Sequence, residues 1–184
     1  MRCCLNLFAS LALLAFLGAT HAGAAENLLK NAAFDSADAL KNWTDWSEPK
    51  QKLSIDANAA HPQGKGALRV DVAHDGGKTH GQIQHEVPVK PKTKYRLDAE
   101  IKAGNEGMAY IQLKQLEGKK EGGRSSTDTN KGAGKWESVS KEIETDGNTT
   151  SVRVVCRFRM SSSYVGKAAW FANLRLSEVI AGEA

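Results

Sequence analysis

From residue 151 to residue 160 the chain alternates with a period of two. Val152, Val154, Cys156, Phe158 and Met160 fall on one side, with Arg153, Val155, Arg157 and Arg159 on the other. Successive strand side chains point to opposite faces, so this pattern suits a strand buried on one side and does not suit a helix. Runs of the same kind, rich in Val, Ile, Leu and aromatics, cover 67–73, 81–89, 95–103, 107–116, 136–143 and 168–179. Weaker runs at 27–34 and 52–56 bring the expectation to about nine strands. The one helix-like patch, 36–41, is too short to organise a fold. Turn signals separate the runs: Pro62-Gln63-Gly64-Lys65-Gly66, Asp75-Gly76-Gly77, Lys90-Pro91-Lys92, Gly104-Asn105-Glu106-Gly107 and Asp146-Gly147-Asn148. Residues 117–135 hold five glycines, four lysines and no bulky apolar side chain, and read as a mobile loop. Short strands with one apolar side each imply two packed antiparallel sheets, an all-β sandwich.

The first 24 residues follow a different pattern. A short basic start (Arg2) precedes an apolar stretch from Leu5 to Gly18, then the small-residue region Ala19-Thr20-His21-Ala22-Gly23-Ala24. This is the layout of a signal peptide, with cleavage expected after Ala24 or, as the alternative, Ala22. No later stretch approaches the ~18 apolar residues of a membrane span. Cys3 and Cys4 precede the apolar run, where they cannot anchor a lipid, so a secreted or periplasmic product without a membrane span is expected. Residues 25–184, undivided by repeat or linker, read as one domain. Of the 25 basic residues, loss of Arg2 leaves 24 against 21 acidic, a net charge of +3. That mild excess lacks the dense basic stripe of a nucleic-acid binder. Cys156 remains as the one cysteine and reads as a buried core thiol, with an intermolecular disulfide or a reactive role as alternatives.

The order of landmarks after the leader carries a resemblance. The chain runs Asn27-Leu28-Leu29-Lys30-Asn31-Ala32-Ala33-Phe34, then Trp43 and Trp46, then His61-Pro62-Gln63-Gly64-Lys65-Gly66-Ala67-Leu68-Arg69-Val70. Ile83-Gln84, Pro91-Lys92-Thr93-Lys94-Tyr95-Arg96-Leu97 and Trp136 follow, and it closes on Trp170-Phe171-Ala172-Asn173-Leu174-Arg175-Leu176. This series resembles the galactose-binding-like jelly-roll β-sandwich of secreted carbohydrate-binding modules, above all those attached to xylanases and glucanases. The resemblance spans nearly all of residues 25–184. It implies a non-catalytic module for a polysaccharide or other glycan, with the groove on the concave sheet, where Gln84 and Tyr110 match lining positions. It also implies a structural calcium where the first strand meets the last. One expected calcium ligand is replaced by Ala172, which leaves Asp35 and Asn173 with backbone carbonyls. Asn31 and Asn173 are expected to tie the termini together, with Phe34 in the core.

Strand phase then supplies candidate ligand contacts. With Ile111 and Leu113 inward, Tyr110, Gln112 and Lys114 turn outward. Likewise Arg153, Arg157 and Arg159 face out after residue 151, and Gln82, Gln84 and Glu86 around residue 84. A sugar-binding face needs flat aromatic surface rimmed by hydrogen-bonding groups. Tyr110, Gln112, Arg157, Arg159 and Gln84 could form one, and the arginines tilt it towards sugars bearing carboxylates or sulfates. Trp43, Trp136 and Trp170 read as core positions, Trp170 because it shares a phase with Leu174 and Leu176. Trp46 is the first choice for an exposed platform, at the loop end of the sandwich.

Enzyme signatures are thin. Asp98, Glu100 and Glu86 are outward acids, so a hydrolytic pair is arithmetically open. His74, His80 and His85 fit no zinc spacing, and neither a nucleophile elbow nor a phosphate loop is present. The alternatives to glycan binding are a structural or protein-interaction domain of the cell envelope, partnered by another envelope protein, and then a small glycan-active hydrolase.

Overall fold

The computed structural model describes residues 26–59, 66–77 and 79–180. The leader, Cys3, Cys4 and the turn residues 62–65 lie outside these. The described residues form ten strands: β1 (Thr44–Asp45), β2 (Lys52–Asp56), β3 (Ala67–Asp71), β4 (His80–Pro88), β5 (Lys94–Ala103), β6 (Ala109–Glu117), β7 (Lys120–Ser126), β8 (Glu137–Glu144), β9 (Ser151–Arg159) and β10 (Ala168–Glu178). They build two five-stranded sheets, in the orders β1-β4-β9-β6-β7 and β2-β3-β10-β5-β8. Every pairing between these strands is antiparallel. The chain passes from sheet to sheet repeatedly, so sequence neighbours such as β9 and β10 lie in different layers. This is the jelly-roll sandwich that the period-two runs imply.

The alternation sorts the side chains as expected. Ile83, Ile111, Leu113, Val152, Val154 and Phe158 of the first sheet meet Leu68, Leu97, Ile101, Phe171 and Leu176 of the second in one buried cluster. Cys156 is in that cluster as a free thiol, and burial pushes its pKa well above the ordinary value, which keeps it protonated and unreactive. Phe34 closes one end, its ring tilted 48° against Trp43 at a centroid distance of 5.3 Å. Gly81 is required by close approach: a Cβ there would lie 1.9 Å from the Phe158 ring that covers it.

Three expectations need correction. Residues 27–34 make turns, not a strand, with Asn31 and Phe34 both at positive φ. Asn27 rather than Asn31 ties the ends: its amide donates to the Leu174 carbonyl at 3.0 Å and accepts from the Leu176 N–H at 3.0 Å. Asn31 instead bonds Asp38 and Asn42.

Residues 117–135 are not a mobile loop. They contain β7, which pairs with β6 through backbone bonds, and a tail pinned by Thr127 and Asn130. An edge strand made of Gly, Ser and charged residues needs no apolar side, so alternation gives no sign of it.

The third correction concerns Trp170. A bulge between Ala172 and Arg175 inserts an extra residue into β10 opposite β5, with Asn173 at φ 49°. The bulge inverts the phase. Leu174 and Leu176 point inward, whereas Trp170 faces out beside Arg69 and Lys102. Trp136, also expected in the core, is likewise outside it: Trp170 and Trp136 cover Ala59, Ala67 and Ala172 on the outside of the second sheet. Lys102 Nζ sits 4.4 and 5.0 Å from their ring centroids.

His85 gives this core a pH dependence. It is buried edge-on against Trp43 at 5.2 Å, and burial first, then Lys30, lowers its pKa from 6.5. His80 is lowered as well, by desolvation and then by Arg157 and Arg159. Below the ordinary histidine value the unfolded chain takes up protons that the fold refuses, so stability falls as pH falls. The melting temperature should therefore drop between pH 7 and pH 5, and His85→Gln should flatten part of that slope. A melting temperature that rises over this window would contradict the assignment.

Candidate functional site

The outward side of the β1-β4-β9-β6-β7 sheet is assembled by register. Gln82 stands opposite Arg157, and Arg157 opposite Tyr110. One step along, Thr44, Gln84, Val155, Gln112 and Ser126 form a row across all five strands. Beyond it come Glu86, Arg153, Lys114 and Arg124, and at the opposite end His80 faces Arg159. Trp46 extends β1 by one residue, its N–H donating to the Gln82 carbonyl at 2.8 Å. Alternation places it on the Thr44 side, beside the Gln82–Arg157–Tyr110 row, and it is 62% exposed. Trp46 and the sheet face are therefore one surface, not two competing locations.

The groups on this face hold one another in place. Arg157 lies over Tyr110, 5.9 Å from the ring centroid, and His80 meets the same ring edge-on at 5.8 Å. Arg157 Nη1 donates to Gln112 Oε1 at 3.3 Å, and Gln112 Nε2 donates to Ser126 Oγ at 3.2 Å. Gln84 and Gln112 are nearly buried and Val155 fully so, although all three point away from the core. They form a floor beneath longer side chains. Between Trp46 on β1 and Tyr110 on β6 there are three strand spacings, about 15 Å. Flat aromatic surface at both ends with amides and a guanidinium between them can stack sugar rings and bond their hydroxyls.

The carboxylates here are committed. Glu86 takes Arg153 Nη2 at 2.7 Å and the Ser151 hydroxyl at 2.8 Å. Glu121 is held by Lys114 at 3.1 Å and Arg124 at 2.6 Å. Burial alone would raise both carboxyls, but these bonds and charges outweigh it and hold both below the usual range. Asp98 and Glu100 line the outside of the other sheet.

A carbohydrate-binding domain family model matches residues 26–162. The chain belongs to that family. This carbohydrate-binding domain is also similar in fold to the CBM22-1 xylan-binding domain of Paenibacillus barcinonensis Xyn10C, at 14% identity and a TM-score of 0.57, covering 86% of this chain and 98% of that one. It is similar to a Stig cyclase from Fischerella sp., at 15% identity and a TM-score of 0.60, covering 85% and 98%. It is also similar to the tailspike protein 4 domain of bacteriophage CBA120, at 9% identity and a TM-score of 0.66, covering 83% of this chain. The domain spans only 21% of that tailspike chain, and under a third of a matching arabinofuranosidase and xylanase. A comparison with curated protein sequences gives no match. The family makes the chain a carbohydrate-binding domain, and these likenesses show its fold, a jelly-roll sandwich.

The expected calcium donors fit that ion poorly. Asp35 is exposed, and Asn173 sits in the bulge among residues that line a cleft of about 590 Å³ on the other sheet. Among the described residues no group of three or more His, Cys, Asp or Glu is placed to hold a metal. Calcium prefers several carboxylate and carbonyl oxygens, and Ala172 offers no carboxylate. That cleft also makes a weaker sugar site than the first sheet. No aromatic ring lines it, Arg96 is paired with Asp98 at 2.9 Å, and Glu100, Asn173 and Arg175 are engaged in interactions of their own.

Sequence phase placed Tyr110, Gln112, Arg157, Arg159 and Gln84 on one side, and register brings them together on β4, β9 and β6. It missed Ser126, because β7 was invisible. It also missed His80, although stepping back from Ile83 through Gln82 would have put His80 on the outward side.

Proposed function

We propose that the chain is an exported, non-catalytic module that binds a polysaccharide across the Trp46–Gln82–Arg157–Tyr110 row. The observation that carries the location is the pairing of an exposed tryptophan and a tyrosine on one sheet face with Gln84, Gln112 and Arg157 between them. Export rests on the leader pattern of residues 1–24. No helix among the described residues is long and apolar enough to cross a membrane. Against hydrolysis, a general acid must stay protonated at working pH. Glu86 and Glu121 are instead held ionised by their cationic partners, and Asp98 and Glu100 lie on the other sheet. The xylan-binding neighbour lends support for a plant-type polysaccharide as ligand.

The test is a pull-down of the folded domain on a panel of insoluble and gel-embedded polysaccharides: xylan, β-1,4-glucan, galactan, polygalacturonate, alginate and chondroitin sulfate. Retention on at least one, without release of reducing sugar, is expected. Uniform absence of retention would remove this reading in favour of a protein-interaction role in the envelope. Steady release of reducing ends would contradict the non-catalytic assignment.

A further inference from the structure

We propose that the Arg157–Arg159–His80 end of the face is a subsite for an anionic sugar substituent, a carboxylate or a sulfate, so that the module selects acidic glycans. The proposal rests on the glycan-binding reading above and specifies its ligand class. It starts from how the charges on this sheet are distributed. Arg153 is satisfied by Glu86, and Lys114 and Arg124 share Glu121. The two remaining cations on β9 have no such partner among the described residues. Arg157 makes one bond of 3.3 Å to an uncharged amide oxygen, and its Nε is buried with no hydrogen-bond partner. Arg159 is exposed, two residues along the same side of the strand, which separates the two Cα positions by about 7 Å.

A buried guanidinium N–H without an acceptor costs free energy, because its hydration is lost and not replaced. The buried Nε is closed to a ligand, but an oxyanion arriving at the accessible part of half-buried Arg157 and at exposed Arg159 supplies an acceptor and the countercharge together. A neutral hydroxyl supplies only the acceptor. Space exists for it: a depression of about 360 Å³, lined by Gly77, Thr79, His80, Arg159 and Ser161, opens at this end of the row. Both arginines act on His80 and add to burial in disfavouring its charged form, so their fields reach the wall of the depression. Tyr110, in contact with both Arg157 and His80, would place the sugar ring that carries the anion.

The experiment is affinity electrophoresis of the folded domain on three matched pairs: polygalacturonate and its methyl ester, alginate and carboxyl-reduced alginate, dextran sulfate and dextran. The wild type should bind the charged member of at least one pair about tenfold tighter than its neutralised counterpart. Raising sodium chloride should erode that preference. The pair that responds separates a carboxylate from a sulfate. Arg157→Gln and Arg159→Gln should each abolish most of the preference with an unchanged circular dichroism spectrum. Lys52→Gln, which removes the same charge from the far sheet, should keep it. Equal binding to charged and neutral members overturns the acidic subsite and leaves the glycan-binding reading standing. So does a charge preference that survives both arginine variants, since it would then be general attraction to a basic protein. Failure to bind any member of the pairs, or any neutral polysaccharide in the panel, removes both.

Discussion

Asn130→Ala should cost the domain about 2–4 kcal/mol of stability, among the largest losses from any single polar truncation in it. The side chain is 1% exposed and fully committed. Its Oδ1 accepts from the Met108 and Ala109 N–H groups, both at 2.9 Å, and its Nδ2 donates to the Asn105 and Gly132 carbonyls at 2.8 and 3.1 Å. Backbone groups on both sides of the start of β6 therefore depend on one amide. Truncation leaves two buried N–H groups without acceptors, the costly kind of loss. For a domain of this size the melting temperature should fall by about 10 °C. Lys131→Ala, at an exposed neighbouring position, should change stability by less than about 0.5 kcal/mol. If residues 117–135 were the mobile loop their composition suggests, the two variants would melt alike.

That contrast shows what could be read from the chain and what could not. Strands that bury one side write a period-two pattern, and β3 to β6, β8 and β9 were all legible within one or two residues. Strand β7 carries no apolar side, because it closes a sheet edge by backbone bonds alone, so nothing in Lys120–Ser126 announces it. Trp170 was misplaced for a different reason. Phase counting assumes one residue per step, and the bulge at Asn173 breaks that assumption. Nothing in Ala172-Asn173-Leu174 marks the break except an asparagine suited to positive φ, a weak signal. At the candidate site, phase was enough to find which side chains point outward. Which of them stand together depended on β9 lying between β4 and β6, a topological fact that local sequence does not contain. Hence sequence alone puts Trp46 at the loop end of the sandwich, whereas β1 brings it alongside Gln82.

Tyr110→Ala should weaken binding to the best glycan of the panel by about 1–3 kcal/mol, roughly ten- to a hundredfold in Kd. Removing the ring takes away a stacking surface and releases Arg157 from its position above it. Trp46→Ala should have an effect of similar size, since its 62% exposure makes its flat face available to a sugar. Neither ring belongs to the buried cluster, so both variants should melt within about 2 °C of the parent. Isothermal titration with thermal melts on the same samples separates the outcomes. A Tyr110→Ala protein that unfolds would mean that the ring supports the sheet rather than the ligand. Normal binding by both variants would place the ligand elsewhere.

Four tryptophans distribute themselves usefully for the most direct test. Trp46 is on the proposed face, Trp43 is buried against Phe34 and His85, and Trp136 and Trp170 are on the outside of the opposite sheet. Each contributes one indole N–H signal to a ¹H–¹⁵N spectrum, so a titration with the best-retained glycan reports on both faces and the core at once. The Trp46 indole signal should move with the backbone amides of Gln82, Gln84, Tyr110, Gln112 and Arg157, while the Trp136 and Trp170 signals stay in place. Movement of the Trp136 and Trp170 signals, with Trp46 unchanged, would put the glycan on the wrong sheet for this account.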